Sequence, residues 1–525
     1  MSIIDSSLYT DTHLTTDMRD TIAMFCLVAS GNLSRNTYNH MLRLLGHRLP
    51  SHTYHMLLQE ISKLAYVQQE IYDCCINSCC AYTGDLGPLE QCPHGKEVRF
   101  DKWNRPRQQF RYTPLTPRLQ SLFLNRKLAD TMDYRGNYNL STSNISDVFD
   151  SQHYRSLRSQ QVVIDGVPQG HRFFSERRDV ALGYMTDGFQ IFKRQRKGGA
   201  TCWPMIMVNF NLPPDIRVHL PNIIPLGIIP GPKAPVDFNS FETPFVLECK
   251  KLAAGVPTLD VRTDSVFNLH VYPLSFIGDM PAIKHCMCFK GHNAVVPCRS
   301  CEIQGVRDTS KPNGHYYVPL RPPQNDAPGW DPSQLPLRTE ERVEAQLLAI
   351  ESAATATARK QLQRQFGINE RSILMEVPSL SVISSFPHEW MHLWLENHGS
   401  NLLDLWQGKY KNLGEGCESY QIPDYTWEII GQETARASLT IPTAFARPTP
   451  NVWTERYIFT AEDYSFWFIH LAPHVLKNRF TRPKYYNHFM KFNKILKLTL
   501  QYSFTPEMVA ELRQRIIEYV EEYET

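Results

Sequence analysis

Residues 179–192 read DVALGYMTDGFQIF, an apolar and aromatic run that breaks at Asp187-Gly188 and then resumes. A run of this kind closed by Asp-Gly predicts a buried strand ending in a turn. Two more follow, WPMIMVNFNL at 203–212 and NIIPLGIIPG at 222–231, with Pro or Gly at their borders. The period then changes. DFNSFETPFVLECKKLAAGV, 237–256, spaces its apolar residues three to four apart and stops at Gly255, which predicts a helix with a glycine terminus. DSVFNLHVYPLSFIGDMPAI, 264–283, predicts a fourth strand that runs straight into Asp279.

Three strands, a helix and a strand form the opening half of a ribonuclease-H-like sheet. One acid then sits on the first strand and another just past the fourth, so Asp187 and Asp279 are expected to meet at one edge. Paired carboxylates supply the hard oxygen ligands that Mg²⁺ or Mn²⁺ needs when two ions assist phosphodiester attack. An Asp at a strand-to-turn junction also serves simply as a turn-former or helix cap. The expected fold class is α+β or α/β, with an incomplete ribonuclease-H-like catalytic core over residues 179–304.

Upstream, residues 1–70 carry apolar residues at helical spacing in TIAMFCLVAS, TYNHMLRLL and TYHMLLQEISKLAYV, which predicts a helical N-terminal region. Residues 71–120 are cysteine-rich, and Cys75, Cys79, Cys92 and His94 have the look of a zinc knuckle, although Gly95 stands where a second CxxC would end. Cysteines acting as small buried hydrophobes are the competing reading. Residues 121–178 are rich in Ser, Asn and Arg and are expected to form a polar linker. Downstream, residues 305–375 hold a Pro-rich loop and an amphipathic helical insertion, and 376–525 a helical C-terminal region.

The 525 residues comprise 42% hydrophobic and 21% charged side chains, an ordinary globular composition that excludes a disordered chain. Net charge is only +2, so nucleic-acid binding has to come from a local patch such as Lys193, Arg194, Arg196 and Lys197. That patch reads as a DNA contact, a nuclear-import signal or a solvated turn. The N-terminus lacks the charged start and apolar run of a secretory leader, and the 10-residue TIAMFCLVAS is too short for a bilayer. An intracellular chain with no membrane partner is expected, its 13 cysteines thiols or metal ligands rather than disulfides.

ALGYMTDGFQIFK, WPMIMVNFNLPPDIR, GDMPA, KGHNAVVPCRSCEIQGVR, MHLWLEN and FWFIHLAPHVLKNRF together resemble blocks of the CACTA-type (En/Spm-like) DNA transposases of fungi. The resemblance implies Asp187 and Asp279 as the first two of three catalytic acids, double-stranded DNA with terminal inverted repeats as substrate, a nuclear location, and a homo-oligomer as the active form. It implies structural zinc at Cys298 and Cys301, with a paired-His motif or, nearby, His292 completing the site. The family pattern places its final Glu beyond IIEYVEEYET, so a truncated or decayed copy is expected, with Glu389, Glu396, Glu415 and Glu418 as substitutes. The alternative is a catalytically dead DNA- or protein-binding relic.

HEWMH at 388–392 spells HExxH, the zinc-peptidase pattern, but its Trp390, Met391, Leu393 and Trp394 suggest a packed helix and the match is read as coincidence. His470 and His474 are expected to be buried and hydrogen-bonded.

Overall fold

The computed structural model describes residues 15–45, 53–64, 67–190, 201–307, 316–321, 329–410, 419–442 and 444–524. The basic run Lys193, Arg194, Arg196 and Lys197 lies outside them, as do Glu415 and Glu418.

The strand expected at 179–192 forms over Val180–Thr186, and six others join it in one sheet among the described residues. In chain order these are β1 (Glu70–Asp73), β2 (Gln109–Tyr112), β3 (Val180–Thr186), β4 (Phe189–Gln190), β5 (Thr201–Asn209), β6 (Ile224–Ile229) and β7 (Val271–Ile277). They lie in the order β1-β2-β6-β5-β3-β7, with β4 paired to the start of β5. Only β3 and β7 run parallel; the other pairings are antiparallel. A mixed α+β fold results, as expected.

Burial on both faces explains why β3 and β7 are continuous apolar runs rather than alternating ones. Val180, Leu182 and Tyr184 face the helix Asn239–Ala254, whose Phe241, Phe245, Val246 and Cys249 complete the main core. Ala181, Val208, Phe210, Tyr272 and Leu274 face the opposite layer.

That opposite layer is built from residues 121–178, the stretch expected to be a polar linker. The turn Val148–Asp150, the helix Gln152–Ser159 and the hairpin Gln161–Ile164/Val167–Arg172 with the residues just after it send Phe149, Tyr154, Phe173 and Phe174 against the sheet, while the helix Arg126–Thr131 puts Ala129 into the main core. Its Asp and Ser residues brace and cap: Asp147 takes the fork of Arg217, which follows β5, at 3.0 and 2.7 Å, and Ser151 caps the helix Gln152–Ser159. The cysteine segment is likewise part of the sheet through β1 and β2, and Ser78, Ala81 and Thr83 bond to the 230–240 loop and helix start.

The expected fourth strand is two. Ser265–Leu269 folds back on Val256–Asp260 as a hairpin, and the sheet strand begins only at Val271. His270 marks the break, its Nδ1 3.0 Å from the buried Asp179 carboxylate. A polar anchor inside an apolar run is invisible to periodicity.

Three helices, Thr16–Ser30, Arg35–Leu45 and Tyr54–Leu64, close around Met24, Val28, Tyr38 and Leu57. In the insertion, helix Glu340–Glu351 puts Val343, Leu347 and Ile350 into the main core. The C-terminal region has its own core of Trp406, Trp427, Trp467, Phe489 and Phe492. His470 and His474 are exposed there rather than buried, one turn apart on the solvent side of the continuous helical stretch Trp467–Leu471 and Ala472–Val475. Among the described residues no helix is long and apolar enough to cross a membrane.

Candidate active site and cysteine centres

β3 and β7 run side by side in register as far as Met185 opposite Ile277, and Asp187 and Asp279 each follow two residues later, just past the two neighbouring strand ends. The two carboxyl groups come near enough there for the charge of Asp279 to act on Asp187. Each is fixed by one local bond: Gly188 N–H donates to Asp187 Oδ1 at 2.7 Å, and Ala282 N–H to Asp279 Oδ1 at 2.6 Å. Asp279 is thus the N-cap of the helix Met280–Cys286. The turn and cap roles hold, and they orient the carboxylates while leaving each a second oxygen.

Partial burial and then the charge of Asp279 raise the Asp187 carboxyl above the usual range, against the Gly188 N–H and His392. Asp187 is exposed to solvent although partly desolvated, and a carboxylate that also feels the charge of a second one is a setting that favours a divalent cation. Gly278 keeps the strands close: a Cβ there would stand 2.6 Å from the Thr186 carbonyl oxygen.

His392 comes from the helix that opens at Trp390 and winds as a π-helix over Met391–Gly399, a form enriched at functional sites. Its Nδ1 is 2.7 Å from Glu389 Oε2 and its Nε2 is 3.6 Å from Glu396 Oε2. Glu389 also accepts the N–H groups of Met391 (3.0 Å) and His392 (2.7 Å), so it caps the helix. His388, the other imidazole of HEWMH, turns elsewhere: its Nε2 is 3.0 Å from Ser300 Oγ, and it bonds the Cys298 thiol. The two imidazoles therefore serve different centres, which is not the zinc-peptidase arrangement.

Cys298 and Cys301 share a hydrogen bond that holds the Cys298 thiol well below its ordinary range, helped by His388 and by the Ser300 and Cys301 N–H groups. Cys301 is raised in turn. His292 has its Nε2 3.1 Å from Asn293 Nδ2 and is exposed, so His388 is the imidazole the fold brings to the CxxC.

In the first cysteine cluster the sulfurs of Cys75, Cys79 and Cys92 all lie within 4.8 Å of one another, and all three residues are buried. Tetrahedral thiolates on one zinc stand about 3.8 Å apart, so the group fits that ion. His94 faces Asp237 instead, Nε2 to Oδ2 3.8 Å. Among the described residues no other set of three His, Cys, Asp or Glu gathers as tightly, the acid pair and its neighbouring glutamates included.

Residues 164–317 match the family model described as transposase family tnp2. The match spans β3 to β7, both Asp187 and Asp279, and the Cys298/Cys301 pair. No curated protein matches the chain.

Proposed function

We propose that the chain is a DNA transposase of CACTA type, built on a ribonuclease-H-like half-core, that cuts and joins double-stranded DNA at terminal inverted repeats. The observation that carries this reading is that Asp187 and Asp279 follow the ends of two neighbouring parallel strands and interact electrostatically, inside the segment that matches a transposase family. Hard carboxylate oxygens suit Mg²⁺ or Mn²⁺, which would supply charge stabilisation at the phosphoryl group. Water attacks phosphorus, the P–O3′ bond breaks, and the electron pair leaves on the 3′ oxygen, which takes a proton. The freed 3′ hydroxyl then attacks a target phosphodiester in the same way. Glu396 is the third acid of this reading, since Glu389 is engaged at the helix start. Zinc is held by the two cysteine centres; the active form is an oligomer working in the nucleus.

A nicking assay on inverted-repeat DNA with Mg²⁺ or Mn²⁺ tests it, with Glu396→Gln expected to lose cleavage and Glu389→Gln to keep it. The lack of a third acid gathered tightly with the pair among the described residues favours one rival, a catalytically dead DNA- or protein-binding relic, which predicts no nicking by the parent chain.

Two further outcomes are expected. Gly278→Ala pushes β7 away from β3 at the acids, so Mn²⁺ affinity measured calorimetrically falls at least about tenfold while the circular dichroism spectrum is kept. Loading with zinc and then stripping it with a chelator lowers the melting temperature, because metal bound only by the folded chain adds to stability; Cys92→Ser removes that difference.

A further inference from the structure

Among the described residues no fourth side chain joins the first cysteine centre as tightly as the three sulfurs join one another. Cys80 stands behind Cys92, sulfurs 3.9 Å apart, outside the tight group of three. His94 is drawn off to Asp237. The backbone borders the remaining side and leaves a side chain's space empty there: Gly95 N–H donates to Cys92 Sγ at 3.2 Å, and a Cβ on Gly95 would lie 3.2 Å from Cys79 Sγ and 3.9 Å from Cys92 Sγ. A side chain at residue 95 would therefore start at the rim of the sulfur triangle. Gly95 is exposed, whereas the three cysteines are buried, so this rim is where the centre meets solvent.

We propose that Cys75, Cys79 and Cys92 form a zinc site with three protein ligands and an open fourth position over Gly95, which takes an outside ligand: water, or in preference a small thiol as thiolate. The preference follows from the ion, because zinc already held by three soft sulfurs sits in the ligand class that thiolates satisfy. An open position is the mark of zinc sites that exchange ligands, whereas purely structural sites close all four. The thiol binds by losing its proton to solvent and displacing water, with no change of oxidation state.

The probe is Co²⁺, whose visible and sulfur-to-metal bands report the number of thiolates, read on the full chain as the difference from Cys92→Ser so that the Cys298/Cys301 pair cancels. The expected spectrum is that of three thiolates, and β-mercaptoethanol shifts it to that of four. Gly95→Cys is expected to show four thiolates unaided, to ignore added thiol, and to hold Co²⁺ at least tenfold more tightly; Gly95 has no left-handed backbone angle to forbid the change. A wild-type spectrum already complete and indifferent to thiol, altered by Cys80→Ser or His94→Ala, overturns the proposal, and so does a Gly95→Cys chain with no added thiolate band. None of these outcomes depends on DNA cleavage.

Discussion

Replacing Asp187 by Asn is expected to abolish the proposed metal-dependent nicking, and so is the same change at Asp279. The charge that holds the ions goes while the shape stays. In either variant the amide keeps an oxygen for the local bond, with the Gly188 N–H in the first and with the Ala282 N–H that starts the helix in the second. Loss of an outer-sphere partner of a metal ligand already costs about 10–100-fold, so loss of a direct ligand exceeds about a hundredfold. The checks are cleavage of end-labelled inverted-repeat DNA and Mn²⁺ binding, with melting temperature as control. Full cleavage by either variant removes the nuclease reading.

The second large effect is on stability. Glu242 is buried between the sheet and its own helix, one oxygen accepting the Tyr184 hydroxyl at 2.6 Å and the other without a partner among the described residues. Burial pushes its carboxyl up to about 8 from an ordinary 4.5, the Tyr184 bond countering. The folded chain thus keeps the proton through a window in which the unfolded chain has lost it. Stability is fully present below 4.5, declines as pH rises to about 8, and is flat beyond. Each pH unit inside the window costs about 1.4 kcal/mol, several kcal/mol in all. Glu242→Gln removes the slope: urea denaturation should find it equal to the parent near the acid end and several kcal/mol more stable near pH 8. A parent chain as stable at the alkaline end as at the acid end would refute this.

What the residues reveal depends on how far apart the interacting groups lie. β3 and β5 announce themselves because buried strands are apolar runs with turn residues at their ends. The short hairpin before His270 does not, since nothing in that run tells a reversal from a continuation. Residues 121–178 look like linker because their polar groups are numerous, yet those groups are spent on caps and ion pairs that need partners such as Arg217, 70 positions away from Asp147. His388 is visible in the sequence only as half of a misleading pattern; its neighbour Cys298 is brought to it by the insertion folding back. The absent CxxC at Gly95 is legible, and it is the one signal that points to an unfilled corner.

Because β2 pairs with β6 through Tyr112 and Gly227, the cysteine segment shields what would otherwise be a bare sheet margin. A shortened protein beginning at the first acid-bearing strand would leave the row of peptide groups along Ile224–Ile229 open for a neighbouring molecule to zip onto. Such trimmed versions should precipitate, whereas versions that start ahead of Glu70 should stay dispersed.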